Sequence, residues 1–355
     1  MNRIRVALET QFAHGTPTGL GTYAAGLAAA LRQRDDVDLV EVADPRIDIW
    51  RFDRRVYWDQ VRAARLAARA RADVVHFTGG TLPFAAPRPV VLTLHDLVWL
   101  NGVNRSRFYV HWYFGRIAAK LAKRADALIA DTESARAGLA EALGLDPRAI
   151  SVAGAGVDPS FFSIERKPDA DPFVLAVGTV EERKDLATAM RAVARLDSLR
   201  LVAAGPLTPY ADVVRRAADR AGASDRLSLL GWVDRATLLD LYARATLLAF
   251  PSRDEGFGLP GLQALACGLP VVAARIPVTE EVLGSCVRYC APGDDAAFAT
   301  AFAEAVQGGA EVRERVAAGR SRAQSFDWSS VAEKTVAVYR STIERFRDGS
   351  TRRAR

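Results

Sequence analysis

The stretch richest in potential chemistry is residues 250–260, Phe-Pro-Ser-Arg-Asp-Glu-Gly-Phe-Gly-Leu-Pro. An apolar run ends at Phe250. A glycine-bearing loop with one strategic carboxylate, Glu255, then opens a helix. Pro260 suits a first helical turn, where its missing N–H costs nothing. The amides around Gly258 and Leu259, with the helix dipole behind them, form an anion site. A carboxylate beside an anion site makes sense if Glu255 grips neutral hydroxyls while the amides hold phosphate. The plainer reading is a tight turn with Glu255 in water. Arg183-Lys184, after the run 173–177 and Gly178, would stabilise charge on a departing phosphate. Adjacent cations are also common on ordinary surfaces. His95 ends the run 90–94 and precedes Asp96, which would orient it or cap the next turn. A lone histidine is otherwise a core residue bonded to a carbonyl. Gly19 and Gly21 allow close approach of backbone to phosphate. Their segment also fits G-x-G-x-x-A, but the polar run 10–18 separates it from the first strand, which that dinucleotide fingerprint should follow directly.

Elements able to position these groups alternate along the chain. Apolar runs at 3–8, 39–42, 73–77, 90–94 and 127–130 predict strands, with helices over 22–32 and 134–143. The pattern restarts with strands at 173–177, 200–204, 227–230, 247–250 and 270–273. Helices are predicted over 186–196, 212–221, 237–242 and 260–266. Strands alternating with helices argue for parallel βαβ units and an α/β fold. Pro159, Pro168 and Pro172 frame a polar stretch, 163–171, the best linker. The reading is a first domain over 1–165, a second over 172–327, and a C-terminal helix and basic tail over 328–355. That helix has no strand after it and is placed packing back on the first domain. In such sheets ligands sit beyond the carboxyl ends of strands, where the loops above fall.

Composition bounds the rest. At about 100–200 residues per domain, 355 residues make two domains. Half the chain is apolar and a quarter charged, which excludes fibrous and disordered classes. The net charge of +6 is too thin for a nucleic-acid-binding stripe. It suits an acidic small ligand or an anionic membrane surface. Cys267, Cys286 and Cys290 form neither a disulfide framework nor a zinc set, and read as structural thiols. No leader or membrane span is visible, so the expectation is a cytoplasmic protein. Residues 51–71 and 104–124 are basic, the latter with Phe108, Tyr109, Trp112, Tyr113 and Phe114. Such a face suits peripheral contact with the inner membrane surface. A helix packing its aromatics on the sheet with arginines in water is the equal alternative.

Residues 255–271, Glu-Gly-Phe-Gly-Leu-Pro-Gly-Leu-Gln-Ala-Leu-Ala-Cys-Gly-Leu-Pro-Val, closely resemble the nucleotide-sugar motif of retaining glycosyltransferases of family 4. The N-terminal Gly19-Leu-Gly-Thr-Tyr, Leu94-His-Asp-Leu, the Gly-Val-Asp ending at 158 and Val177-Gly-Thr-Val-Glu-Glu-Arg-Lys-Asp-Leu resemble the family's other segments, in order. The resemblance implies the GT-B architecture, two Rossmann-like domains around a cleft. It implies a nucleotide-sugar donor on the second domain, contacted by Gly178, Gly256, Phe257, Gly258, Leu259 and position 263, with Gly19 and Gly21 on the donor side of the first. It further implies a hydroxyl acceptor (glycan, lipid-linked or small molecule) on the first domain, and places His95 by the donor sugar. Arg183, Lys184 and Glu255 complete the implied catalytic set. Front-face displacement without metal or other cofactor is implied. GDP-mannose is the first donor expected, because the Gly-Leu-Gly-Thr-Tyr and Glu-Glu-Arg-Lys segments resemble mannosyltransferases most; a UDP-sugar is second. One departure stands out: the family pattern places glutamate at both 255 and 263, and here the second is Gln263. An amide lacks the charge that strengthens bonds to ribose hydroxyls. The alternatives are a catalytically weak nucleotide-sugar-binding subunit and an NAD-dependent oxidoreductase.

Overall fold

The computed structural model describes residues 2–15, 18–96 and 112–349. The chain divides into two units, Met1–Gly156 with Trp328–Arg355, and Val157–Asp327.

The first unit is built on β1 (Ile4–Glu9), β2 (Val37–Val42), β3 (Val74–Phe77), β4 (Val90–Leu94), β5 (Ala127–Ala130) and β6 (Ile150–Val152). They pair in parallel in the order β2-β1-β3-β4-β5-β6. The inner strands β3, β4 and β5 are buried along their whole length, so their sequences are apolar apart from His76 and Thr93, which bond each other. The helix predicted from residue 22 begins at Gly19. Thr18 caps it, its hydroxyl accepting from Gly21 N, and Gly21 leaves room that a Cβ would not: that atom would lie 2.3 Å from the Phe12 carbonyl oxygen. The Gly19–Gly21 segment is thus a helical first turn pressed on the chain before it. The basic segment 51–71 forms Phe52–Tyr57 and Ala63–Ala70 around one widened turn, Trp58–Arg62. It is not uniformly solvated. Arg55 is buried on the Asp59 carboxylate and also donates to the Gly79 carbonyl.

The C-terminal helix Trp328–Arg347 belongs to this first unit. Trp328 meets Tyr23 edge to face, and Tyr339 OH reaches Nδ1 of the buried His76 at 2.7 Å. Of the tail and the aromatic segment, Arg352, Arg353, Arg355, Phe108 and Tyr109 lie outside the described residues. Tyr113 turns inward, its hydroxyl 3.1 Å from Asp59, whereas Trp112 is exposed. Among the described residues no helix is long and apolar enough to cross a membrane.

The second unit carries β7 (Phe173–Val177), β8 (Arg200–Ala204), β9 (Leu227–Gly231), β10 (Leu247–Phe250), β11 (Val271–Ala274) and β12 (Arg288–Cys290), all parallel, in the order β12-β11-β10-β7-β8-β9. Its core packs Val174, Leu201, Leu247 and Val272 against Met190, Val214, Phe298 and Phe302. The chain enters this unit at Val157, not after residue 165. Val157 N donates to the Phe326 carbonyl, Phe161 packs edge-on against Tyr242, and Arg166 donates to the carbonyls of Tyr242, Ala243 and Ala245. Residues 157–166 are therefore fastened to the second unit by backbone and side-chain bonds, and only the stretch after them resembles a linker in composition.

Candidate functional site

Each sheet has one place where successive strands depart in opposite directions. In the second unit it lies between β7 and β10, and ligands of open α/β sheets bind beyond such points. The loops after these two strands carry the sequence-predicted residues, and they meet. Nζ of Lys184 lies 2.5 Å from Oε1 of Glu255, and Arg183 donates to Glu255 Oε2 at 3.3 Å and to the Asp254 carbonyl at 3.0 Å. Arg183 also pairs with Glu181 at 2.8 Å. The two loops are sewn together further by Arg253, whose N–H donates to the Arg183 carbonyl and whose guanidinium bonds Asp185. Lys184 and Glu255 are both buried. Burial opposes the Glu255 charge, but the facing Lys184 and Arg183 outweigh it and hold the carboxyl below its usual range. Glu255 is thus a shared counter-ion for two cations, and the solvated alternative is set aside. A lysine ammonium has three donors, so the Glu255 bond leaves Lys184 further donors to offer an anion.

Directly beyond Glu255, Gly258 caps the helix Leu259–Ala266, with Pro260 in its first turn. Phe257 is buried edge-on against Phe326. Gly178 follows β7, with Lys184 Cε 3.5 Å from where its Cβ would sit. Gln263 lies one to two turns into the helix, mostly buried, and its Oε1 accepts from Tyr242 OH at 3.0 Å. Tyr242 gave no sequence signal of its own, being one apolar-face residue of a helix.

In the first unit the corresponding point lies between β1 and β3. A residue passed over in the sequence occupies it. Glu9, the last residue of β1, is buried and accepts from Trp58 Nε1 at 2.6 Å and from the N–H groups of Thr78 and Gly79. Burial and the neighbouring Asp59 push its pKa up to about 7, against its hydrogen-bond donors. His95 follows β4 as expected, but both ring nitrogens are engaged inside this unit. Nδ1 faces Asp131 Oδ2 at 2.7 Å and Nε2 faces the Thr78 carbonyl at 2.9 Å. The hydrogen-bonded orienting partner is Asp131, where the sequence pointed to Asp96; Asp96 contributes charge from nearby. The signal was present: Asp131 is the first residue after β5. Gly19 is exposed at the start of its helix and Gly21 buried against Phe12. The turn that a dinucleotide fingerprint makes directly after β1 is replaced here by the stretch Thr10–Thr18.

The model of the family described as glycosyl transferases group 1 matches residues 157–322, and that of glycosyltransferase family 4 matches residues 17–161. A D-inositol 3-phosphate glycosyltransferase of Stackebrandtia nassauensis is 30% identical over 77% of this chain and 69% of its own. The chain belongs to the family 4 glycosyltransferases. This removes the NAD-dependent oxidoreductase alternative. An MMP alpha-(1->4)-mannosyltransferase of Mycolicibacterium hassiacum is 28% identical over 80% of this chain and 75% of its own. Across the curated relatives compared, matches span from 45% to 75% of the relative's length. Among solved structures, sucrose-phosphate synthase from Thermosynechococcus elongatus superposes with a TM-score of 0.72 at 19% identity, covering 96% of this chain and 99% of that one. Anabaena HepE in complex with UDP and glucose gives 0.71 at 20% identity over 95% and 99%. This family 4 glycosyltransferase therefore has the GT-B type of fold, two parallel six-stranded α/β sheets in one chain.

Proposed function

We propose that the chain transfers a hexose from a nucleoside diphosphate sugar to a hydroxyl acceptor, with retention at the anomeric carbon and without metal. The observation that carries this is the meeting of Arg183, Lys184 and Glu255 at the β7–β10 switch point, beside the N-terminus of the Leu259–Ala266 helix. The cations and helix end suit a diphosphate, whose charge grows as the glycosidic bond breaks. Glu255 reaches donor-sugar hydroxyls while its charge is balanced. Both its oxygens face cations, so it is ill placed as a covalent nucleophile, and the leaving phosphate takes the acceptor proton. The nucleotide belongs to the second unit and the acceptor, a glycan, lipid-linked or small-molecule hydroxyl, to the first.

GDP-mannose is the first donor to test, supported by the mannosyltransferase among the relatives. A UDP-sugar is the second, supported by the UDP held by a protein of the same fold. The second reading is a nucleotide-sugar-binding subunit with weak turnover, favoured by the neutral Gln263. Thermal stabilisation across a panel of nucleotide-sugars, followed by NMR of the product anomer, tests both. A donor that stabilises and is transferred with retention supports the first reading. Stabilisation with no transfer to any acceptor supports the second, and inversion would overturn the stereochemical proposal.

A further inference from the structure

The register of the first sheet places Leu94 opposite Ala130 and Phe77 opposite Leu92. His95 and Asp131 are therefore the next residues along two neighbouring strands, and Thr78 is the next along a third. The three ends are joined by one imidazole, Asp131 Oδ2 to Nδ1 at 2.7 Å and Nε2 to the Thr78 carbonyl at 2.9 Å. A carbonyl oxygen only accepts, so Nε2 must carry hydrogen. A carboxylate also only accepts, so with Asp131 ionised Nδ1 must carry one too. Asp131 is 4% exposed, and among the described residues its Oδ1 has no hydrogen-bond partner. A buried carboxylate so poorly satisfied needs a counter-charge, and the imidazolium is the one at hydrogen-bond distance. The ring is held in place by Tyr23, edge to face at 4.6 Å.

We propose that Asp131 is a positioning residue that keeps His95 doubly protonated, so that His95 is a fixed cationic clamp on the Thr78–Gly79 turn and not a base for the acceptor proton. The proposal rests on the transferase reading for its kinetic consequence but not for its protonation state. The turn it fixes is the one whose Thr78 and Gly79 N–H groups bond Glu9, so the clamp also locks the end of β1. Among the described residues the charged and titratable groups facing the ring are Asp131, Asp96, His76 and Tyr23. Asp131 and Asp96 favour the cation, and the buried His76 is neutral. Burial raises the Asp131 carboxyl above its usual range against the pull of the His95 charge. Burial also works against the imidazolium, yet the carboxylates and the Thr78 carbonyl leave the His95 pKa above its usual value.

The test is ¹⁵N NMR of histidine-labelled protein at pH 7.5, with His95→Gln assigning the signal. Both ring nitrogens of His95 are expected to be protonated, where an ordinary histidine is mostly neutral. A ring protonated at one nitrogen only, as in a neutral His–Asp pair, overturns the proposal, and this needs no variant of Asp131. In Asp131→Asn the ring should lose a proton at the same pH. Turnover should fall about 100-fold, the scale of a displaced reacting group, while the donor Michaelis constant holds. An unaltered ring signal in Asp131→Asn, or unaltered turnover, counts equally against it. Absence of transfer with every donor would sink the transferase reading and leave the ring result to decide the proposal.

Discussion

Nζ of Lys184 and Oε1 of Glu255 stand 2.5 Å apart, both buried, 71 residues apart along the chain, and join the loops after β7 and β10. Removing Lys184 leaves the buried carboxylate with Arg183, at 3.3 Å, in place of two facing cations. Lys184→Ala should destabilise the second unit by about 3 kcal/mol, the usual penalty for breaking a buried pair. Lys184→Ala with Glu255→Ala should cost less than the sum of the two single changes, because the second removes the carboxylate that the first leaves under-compensated. Denaturant unfolding of the four proteins measures the coupling. Strict additivity would mean the two charges do not interact.

The same cations should matter most when leaving-group charge is greatest. Arg183→Ala and Lys184→Ala are each expected to lower turnover more than donor affinity, since contacts that strengthen in the transition state appear in kcat. Steady-state kinetics with the identified donor checks this. A raised Michaelis constant at unchanged turnover would assign the pair to ground-state binding alone.

Gly205, at the end of β8, has φ +154, and a Cβ there would sit 2.0 Å from the Gly178 carbonyl oxygen. Both the backbone conformation and the space exclude a side chain. Gly205→Ala should cost about 1–3 kcal/mol by overpacking. It should also weaken nucleoside diphosphate binding, because the displaced residue, Gly178, begins the loop that carries Lys184. Calorimetry on folded variant decides it: intact affinity would detach the β7 loop from the nucleotide.

His76 is buried between Tyr339 OH and Thr93 Oγ1, each at 2.7 Å. Burial, with the neighbouring His95, pushes its pKa down to about 3. The folded chain therefore refuses a proton that the unfolded chain takes up near the ordinary histidine value. This contribution to stability is complete above about pH 6.5 and is lost toward pH 3, at about 1.4 kcal/mol per pH unit. His76→Gln keeps a polar side chain but cannot titrate. The stability gap between wild type and this variant should narrow as pH falls from 6.5 to 4.5. A pH-independent gap would show that His76 is not held neutral.

Much of this architecture was legible because parallel strands buried on both faces must be short apolar runs. β4, β5, β7, β8 and β10 coincide with such runs. β6 and β12 escaped notice: each is an edge strand of three residues, with the polar Ser151 or Arg288 among them. The start of the Gly19 helix escaped because paired glycines read as loop, while Thr18 and the Phe12 carbonyl decide otherwise. Arg183, Lys184 and Glu255 could be singled out by residue type, but not as one ionic cluster, since that depends on β7 and β10 being neighbours. Glu9 and Asp131 were missed for the opposite reason. A carboxylate at a strand end looks like any loop acid until the register shows what stands beside it.

Gln263 joins the two kinds of information. The sequence marks it as an amide where the family pattern places a carboxylate, and the structure supplies its partner, Tyr242 OH at 3.0 Å. The Tyr242 hydroxyl also lies 3.2 Å from the Pro260 carbonyl, so it holds the start of the Leu259–Ala266 helix and the side chain at 263 together. Gln263→Glu should keep this bond, because the carboxylate accepts from the same hydroxyl. If position 263 also meets the nucleotide ribose, the added charge should tighten free nucleoside diphosphate by about 1 kcal/mol, or roughly fivefold. The gain should be equal in ground and transition states, so the Michaelis constant should fall and turnover should hold. Tyr242→Phe should reverse part of the gain by freeing the side chain. Calorimetry with GDP and UDP on wild type, Gln263→Glu and the double variant separates the contributions. Weaker binding in Gln263→Glu would mean that the new charge repels the diphosphate more than it grips the ribose, placing this position nearer Lys184 and the phosphates than to the sugar of the nucleotide.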